Sequence, residues 1–291
     1  MGLSTPNGSS SSAPSNSVRT GAILIALLAS SIAAFSSAAN AETVFITGAN
    51  SGIGLEFTRQ YVAKGWTIIA THRRTEVPPS LAAIAAKYGK LRIERLDVTN
   101  VEQVQALAKK LADVPIDVLI NNAGVYNDRG ACVSDDEGCP GDWTTQNFGK
   151  LRYGLFDTIM AVNVKGPLIV SEAFFGNVKA SRQKKLVAIG SSTGSLTGEG
   201  FAGPGAIFYR TSKAALNRSM QSVASSVKAD GVTVVILNPG PTLTEHQAYL
   251  KDAKGMLKTS FTVENMIRTI DKATIQDSGR FLRYDGATEP W

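Results

Sequence analysis

A tyrosine and a lysine four residues apart, Tyr209 and Lys213, form the pair in this sequence best suited to acid–base chemistry. Side chains at this spacing share one face of a helix, so we expect the Lys213 ammonium close to the Tyr209 phenol. A nearby positive charge favours the phenolate and should lower the pKa of Tyr209. Such a tyrosine can give a proton to a carbonyl oxygen or take one from an alcohol. A purely structural pair on a helix is the alternative interpretation.

Three further polar side chains could assist this pair. Ser191 and Ser192 follow a predicted buried strand, and a hydroxyl there can bind the oxygen on which negative charge develops as a carbonyl is reduced. Asn163 lies within a predicted helix. The alternative is an ordinary loop or helix cap for the serines and a buried amide for Asn163, but the ordered set favours chemistry.

A glycine-rich turn links the first predicted strand to a helix. The length and β-character of the run Thr43 to Thr47 predict a buried strand, and the four-residue recurrence of Ile53, Phe57 and Tyr61 predicts the helix. Glycines between them permit a sharp bend and close approach of a pyrophosphate to the positive end of the helix. A turn that binds nothing is the alternative. The expected dinucleotide contacts are Gly48, Asn50, Ser51, Gly52, Ile53 and Gly54.

The end of the second predicted strand indicates which nicotinamide cofactor is preferred. The segment from Ala70 to Arg74 contains no acid. A carboxylate there would bind a ribose 2′-hydroxyl, whereas an arginine accepts a 2′-phosphate. Arg73 therefore predicts NADP(H) in preference to NAD(H), although two exposed arginines at a loop entrance remain the alternative. His72 is predicted to be a loop residue.

Short β-rich runs alternate with amphipathic helical patterns from Glu42 onward, which predicts a single Rossmann-like domain over residues 42–291. The fold class is α/β, with a doubly wound parallel sheet of about seven strands and helices on both faces. Ligands should bind at the carboxyl ends of the strands. The predicted strands are Thr43–Thr47, Thr67–Thr71, Leu91–Leu96, Val118–Asn121, Lys185–Ile189, Val232–Asn238 and Phe281–Tyr284.

An ordered set of motifs resembles the short-chain dehydrogenase/reductase family with a Thr-Gly-x-x-x-Gly-x-Gly turn, from about Thr43 to the C-terminus. Besides the turn, the motifs are Leu96-Asp-Val-Thr99, Asn121-Asn-Ala-Gly124, Met160-Ala-Val-Asn163, Gly190-Ser-Ser192, Tyr209-Arg-Thr-Ser-Lys213 and Asn238-Pro-Gly240. Residues 162–167, 209–217 and 279–286 are similar to the sniffer-type carbonyl reductases and C-factor-like members.

The resemblance implies NADP(H)-dependent interconversion of a small-molecule carbonyl and alcohol, with Tyr209 as general acid/base. It favours Ser192 over Ser191 as the reactive serine, because the family motif carries that serine later in the pair. It also implies that Asn163 holds the helix and water through which Lys213 refills the proton. Further cofactor contacts are expected from Asp97, Val98, Asn122, Ala123, Gly124, Tyr209, Lys213, Pro239, Gly240 and Thr242.

A homodimer or homotetramer is compatible with the resemblance. The second functional interpretation is a non-catalytic dinucleotide-binding sensor or scaffold on the same fold. Nucleic-acid binding is excluded, because the net charge of +6 is modest and the basic residues are scattered.

The first 41 residues are predicted to be an export or targeting segment outside the fold. Residues 1–20 are rich in serine, 22–34 are almost wholly apolar, and Ala39-Asn-Ala41 fits a signal-peptidase site. Cleavage would deliver the domain to a periplasm-like space or an organelle lumen. The alternatives are an uncleaved membrane anchor over residues 22–34, a plastid location or a cytoplasmic one.

The region near residues 126–150 is predicted to be an inserted loop that serves as a lid or a subunit contact. It contains Cys132 and Cys139, which we expect to form a disulfide in an oxidising compartment, with free thiols as the alternative. The acidic residues between them lack the pattern of a calcium loop, so no metal site is predicted. A second inserted stretch is expected around Gly198 to Gly205.

Overall fold

The chain divides into two units, Met1–Asn40 and Ala41–Trp291. The computed structural model describes residues 41–127, 142–197 and 205–291, all of which belong to the second unit. The predicted export segment, both cysteines and most of the second inserted stretch lie outside the described residues.

Seven parallel strands form the main sheet in the order β3-β2-β1-β4-β5-β6-β9. Runs of apolar residues buried on both faces explain why β2, β1, β4, β5 and β6 are central strands of a parallel sheet, while β3 and β9 form its edges. All seven predicted strands are confirmed, and the separate two-stranded sheet formed by β7 and β8 was not predicted. The strands are β1 Thr43–Ile46, β2 Thr67–His72, β3 Leu91–Arg95, β4 Val118–Asn121, β5 Lys185–Ile189, β6 Thr233–Asn238, β7 Thr242–Leu243, β8 Leu257–Lys258 and β9 Phe281–Arg283.

Helices cover both faces of this sheet. Helices α1, α2 and α8 bury their apolar residues against one face, and α3, α5, α6 and α7 pack on the other. The predicted doubly wound α/β fold is therefore confirmed. The helices are α1 Gly52–Ala63, α2 Pro79–Tyr88, α3 Val101–Lys110, α4 Tyr153–Met160, α5 Gly166–Ala173, α6 Phe175–Lys179, α7 Ile207–Val227 and α8 Thr259–Lys272, with a π-helical turn, Ala161–Lys165, between α4 and α5.

The strand order reverses between β1 and β4. The connections from β1 to β3 run to one side of β1, and those from β4 onward run to the other. Loops on the two sides diverge at this point, which opens a crevice at the carboxyl ends of the strands. The glycine-rich turn after β1 and the segment after β4 therefore face the same crevice.

His72 is the last residue of β2 and is buried, so its prediction as a loop residue is wrong. Burial lowers the pKa of His72, and the positive charges of Arg74 and Arg95 lower it further. The imidazole is therefore part of the strand end.

The C-terminal residues complete the edge of the sheet. The Trp291 carbonyl accepts a hydrogen bond of 2.7 Å from the Thr197 N–H, and the Trp291 ring lies 5.7 Å from the ring of Phe281 in β9. Within residues 41–127, 142–197 and 205–291, no helix is both long and apolar enough to cross a membrane.

Candidate active site

At two of its glycines, the turn after β1 packs too closely against its neighbours to accept a side chain. Gly48 has φ = +63°, and a Cβ there would lie 2.9 Å from the Cα of Ala123. A Cβ on Gly54 would lie 2.3 Å from the Gly48 carbonyl oxygen. Glycine at these positions therefore allows the first turn of α1 to meet the ends of β1 and β4.

The segment after β4 braces that turn. The Thr47 hydroxyl accepts hydrogen bonds of 3.0 Å from the backbone N–H groups of Asn122 and Ala123. The Asn122 side chain donates to the carbonyls of Thr47 at 2.9 Å and Gly48 at 3.1 Å. These predicted cofactor residues hold the turn in shape, and Gly124 follows them as an exposed residue.

A carboxylate caps the start of α1. The Gly52 N–H donates to Glu245 Oε1 at 2.5 Å, and Ser51, the N-cap residue, makes no side-chain capping bond. The Asn50 carbonyl accepts a 2.9 Å hydrogen bond from Ser80, while Ile53 packs against the core. Sequence reasoning missed Glu245, whose contact shows that this helix end attracts an anion.

Arginines gather where β2 and β3 end. Arg73 is exposed directly after β2, and Arg95 pairs in register with His72. Neither arginine forms an ion pair within the described part of the chain. This edge is therefore electropositive and suits a phosphate group.

Asp97 and Val98, the predicted contacts after β3, are engaged with the protein. Asp97 Oδ1 accepts from the Thr99 N–H at 2.9 Å and from the Thr99 hydroxyl at 2.7 Å. Val98 is buried, and a Cβ on Gly166 would lie 2.8 Å from Val98 Cγ2. Both residues therefore follow the carboxyl end of β3 and are held there by the protein itself.

Lys213 lies one turn after Tyr209 on α7, as predicted. It is only 7 % exposed, and its Nζ donates a 2.8 Å hydrogen bond to the Ile189 carbonyl at the end of β5. Nζ is 5.7 Å from the centre of the Tyr209 ring. Burial lowers the pKa of Lys213 to about 8.

Burial raises the pKa of Tyr209, and a hydrogen bond with the Ser191 hydroxyl opposes that rise. The expectation that Lys213 lowers this pKa is therefore wrong for the present arrangement. The Lys213 ammonium donates its hydrogen bond to the Ile189 carbonyl. At neutral pH the phenol keeps its proton.

The serine that reaches Tyr209 is Ser191, whereas the sequence analysis selected Ser192. Ser191 lies two residues after the end of β5 and is the N-cap of the one-turn 3₁₀ helix Ser192–Gly194, which Ser192 begins. A Cβ on Gly194 would lie 2.5 Å from the carbonyl carbon of Lys213, so this turn rests directly on α7. Gly194 is the sequence signal for this arrangement, because a glycine is needed where the turn approaches the backbone of α7.

Asn163 ties the loop after β4 to α7. It is 1 % exposed, and it exchanges hydrogen bonds of 2.8 and 2.7 Å with the N–H and carbonyl of Val125. Its amide also donates to the Ser212 hydroxyl at 3.0 Å, which donates to the Tyr209 carbonyl at 2.7 Å. Asn163 lies at the centre of the π-helical turn, a feature frequent at functional sites.

The inserted loop also reaches Tyr209. Gln146 is fully buried and was missed by sequence reasoning. Its Nε2 donates to the Tyr126 carbonyl at 2.7 Å, and its Oε1 accepts from the Tyr209 N–H at 2.9 Å. The Tyr126 ring stacks on Trp143 at 5.1 Å and meets Tyr209 edge-on at 6.4 Å.

The segment after β6 lies at the same edge of the sheet. Gly240 has φ = +68°, which favours glycine, and its N–H donates to Asn238 at 3.1 Å. The Thr242 hydroxyl donates to the Pro239 carbonyl at 2.8 Å and lies 3.1 Å from the Thr262 hydroxyl. Thr242 is buried, so its hydroxyl is paired within the protein.

Residues 42–255 match the family model of the short chain dehydrogenases. The chain therefore belongs to the short-chain dehydrogenase/reductase family, whose members are oxidoreductases acting on small molecules. This confirms the family resemblance drawn from the ordered motifs.

Individual relatives include a C-signal protein and carbonyl reductases, in agreement with the resemblance drawn from the sequence. The C-signal of Myxococcus xanthus is 30 % identical over 188 residues, covering 65 % of this chain and 100 % of that protein. The NADPH-bound carbonyl reductase from chicken fatty liver has a TM-score of 0.75 at 26 % identity, covering 87 % of this chain and 100 % of that one. A Burkholderia multivorans short-chain dehydrogenase/reductase with bound NADP has a TM-score of 0.70 at 28 % identity, covering 86 % and 100 %. The carbonyl reductase Sniffer of D. melanogaster shares the fold, with a TM-score of 0.68 at 22 % identity and coverage of 86 % and 100 %.

Proposed function

We propose that this protein is an NADP(H)-dependent oxidoreductase that interconverts a carbonyl and an alcohol, with Tyr209 as the general acid and base. The observation that carries the proposal is the Tyr209 phenol, hydrogen-bonded to Ser191 and one helical turn from the buried Lys213. Ser212 and Asn163 link this group to Val125, in the segment after β4 that also braces the glycine-rich turn.

The residues present fit a nicotinamide dinucleotide. Gly48 and Gly54 leave no room for a side chain at their positions in the turn, and the first N–H groups of α1 already attract a carboxylate. Two structural relatives contain NADPH or NADP, which supports this cofactor class. When bound, the cofactor supplies or accepts the hydride. The remaining predicted contacts along β3, β4 and β6 would surround it.

Arg73 is the residue we assign to the 2′-phosphate. It is exposed at the end of β2, has no ion-pair partner in the described ranges, and lies beside the equally unpaired Arg95. A bidentate guanidinium contact stabilises a phosphate. No acidic residue that would repel the phosphate occurs in β2 or in the two arginines after it. NADP(H) is therefore the proposed cofactor.

The protein side of the reaction rests on two hydroxyl groups. Tyr209 gives its proton to the carbonyl oxygen during reduction, and the raised pKa keeps that proton available at neutral pH. Ser191, in place of Ser192, hydrogen-bonds the same oxygen as its negative charge develops. In the oxidative direction Tyr209 must lose its proton first, so alcohol oxidation should increase with pH.

Two further residues support these hydroxyl groups. We assign Lys213 to the nicotinamide ribose and to returning the proton to Tyr209. Asn163 fixes the first turns of α7 through Ser212. Lys213 thus supplies the proton that Tyr209 needs after each turnover, and Asn163 holds Tyr209 in position.

The cofactor part of the proposal is tested by titrating the purified protein with NADPH and NADH while following cofactor fluorescence. We expect NADPH to bind more tightly, and Arg73→Asp to reverse the order because the carboxylate repels the 2′-phosphate. Arg218→Asp, the same charge change on the exposed face of α7, is the matched control. Equal affinities of the native protein for the two cofactors would contradict the assignment.

The reaction itself is tested by supplying a panel of aldehydes and ketones and measuring NADPH oxidation. We expect at least one carbonyl to be reduced. Cofactor binding without turnover on any member of the panel would favour the non-catalytic sensor.

A further inference from the structure

We propose that Tyr126 and Trp143, two described residues of the inserted loop, form an aromatic wall of the substrate site that Gln146 anchors to the catalytic helix. Trp143 and Tyr126 form the surface of the wall, and it selects carbonyl substrates that carry a planar, apolar group. Gln146 is a positioning residue for both the wall and Tyr209. The proposal rests on the proposed reductase function and adds the substrate class.

Gln146 satisfies a backbone group that α7 leaves unpaired. The first N–H groups of a helix have no partner within the helix, and Ala206, the N-cap of α7, provides no side-chain bond. The Gln146 Oε1 takes this role by accepting from the Tyr209 N–H at 2.9 Å. The catalytic tyrosine is therefore held through its own backbone by the inserted loop.

The same amide also fixes the other side of the crevice. The Gln146 Nε2 donates to the Tyr126 carbonyl at 2.7 Å, and the residue is fully buried. The loop packs tightly on the chain entering α7, because a Cβ on Gly205 would lie 2.3 Å from Asn147 Oδ1. One buried side chain thus sets the distance between Tyr126 and Tyr209.

Trp143 precedes the 3₁₀ turn Thr144–Gln146, so the anchor also positions the indole ring. The rings of Tyr126 and Trp143 are 5.1 Å apart with an angle of 30°, and both side chains are half-buried. Tyr126 meets the proposed acid edge-on at 6.4 Å. An aromatic surface beside the acid favours a flat, apolar substrate, since such ring pairs add ~0.5–1.5 kcal/mol beyond the area they bury.

Trp143→Ala tests the wall through the kinetics of two substrates, benzaldehyde and hexanal. We expect the KM for benzaldehyde to rise by about 2- to 13-fold, the range that this pair energy gives, and that for hexanal to change by less than about 2-fold. Phe148→Ala is the matched control, because Phe148 is 89 % exposed in the same segment. Equal changes for both substrates in Trp143→Ala would overturn the wall.

Gln146 is tested with two variants that separate its two hydrogen bonds. Gln146→Glu keeps an acceptor for the Tyr209 N–H but cannot donate to Tyr126, so kcat should stay near native while the KM for benzaldehyde rises. Gln146→Leu loses both bonds, so kcat should fall by about 10-fold for both substrates and the pH profile of reduction should shift. Unchanged NADPH affinity would show that the variants are folded.

A Gln146→Leu protein with native kcat and pH profile would overturn the positioning role. If the native protein reduces neither substrate, the proposed reaction fails, and the wall is then judged by equilibrium binding of benzyl alcohol and hexanol. Weaker binding of benzyl alcohol alone in Trp143→Ala would support the wall, and equal binding to both proteins would overturn it.

Discussion

Lys213 is a cation that the fold buries at a cost. It is 7 % exposed, its Nζ donates to the Ile189 carbonyl, and burial lowers its pKa from 10.5 to about 8. Below pH 8 both the folded and unfolded chains carry the proton, and the folded state bears the full cost of the buried charge. Between pH 8 and 10.5 the unfolded chain binds more protons, so stability rises with pH.

Lys213→Met should therefore stabilise the protein while abolishing turnover. The pKa change corresponds to about 3 kcal/mol, which is the upper limit of the gain in the free energy of unfolding at pH 7. The rise in stability between pH 8 and 10.5 should also disappear. Urea denaturation at pH 7 and pH 10 measures both effects, with Lys109→Met on the exposed face of α3 as control. A Lys213→Met protein less stable than native at pH 7 would refute this account.

The turn after β5 decides which serine meets Tyr209. Gly194 lets the 3₁₀ turn Ser192–Gly194 rest on the backbone of Lys213, and the residue before that turn, Ser191, then points its hydroxyl at the phenol. Ser192, one position later, belongs to the turn itself. The geometry of the element, more than the motif, thus assigns the role.

Ser191→Ala should lower kcat by ~10², the range observed on removing one donor from a developing oxyanion. Ser192→Ala, a matched change one residue away, should leave kcat within about 2-fold of native, because it removes no contact to Tyr209. Steady-state reduction of one good carbonyl substrate measures both. The reverse order of losses would restore Ser192 as the reactive serine.

The elements were predictable where one segment carries its own signal. The buried strands and the glycine-rich turn follow from local apolar runs and local backbone needs. His72 differs because a parallel partner, Arg95 in β3, extends β2 by one residue. Gln146 was not predictable, since its contact with Tyr209 joins residues 63 apart in the chain. The pKa of Tyr209 depends likewise on how deeply the assembled site buries it.

At the scale of the whole molecule, the last eleven residues close the sheet. β9 pairs with β6 at the edge, Phe281 and Leu282 are 1 % and 4 % exposed, and the Trp291 carbonyl accepts from Thr197. Phe281 and Leu282 are therefore part of the core, and Trp291 holds the segment that follows the serine turn.

Deleting residues 281–291 should lower the free energy of unfolding by ~3–6 kcal/mol, since each buried side chain contributes ~1.5–3 kcal/mol. It should also expose the edge of β6 and promote association. Trp291→Ala is the milder comparison, with a loss of ~1 kcal/mol from its ring contact with Phe281. Urea midpoints measure the series, and a deletion protein that unfolds at the native midpoint would contradict it.

The central claim is that Tyr209 supplies the proton, and Tyr209→Phe tests it most directly. The variant keeps the ring that packs against Tyr126 and removes only the phenol oxygen. We predict that NADPH affinity, measured by fluorescence, is retained while kcat for a good carbonyl substrate falls by ~10² or more. A Tyr209→Phe protein that reduces the same substrate as fast as the native protein would contradict the assignment.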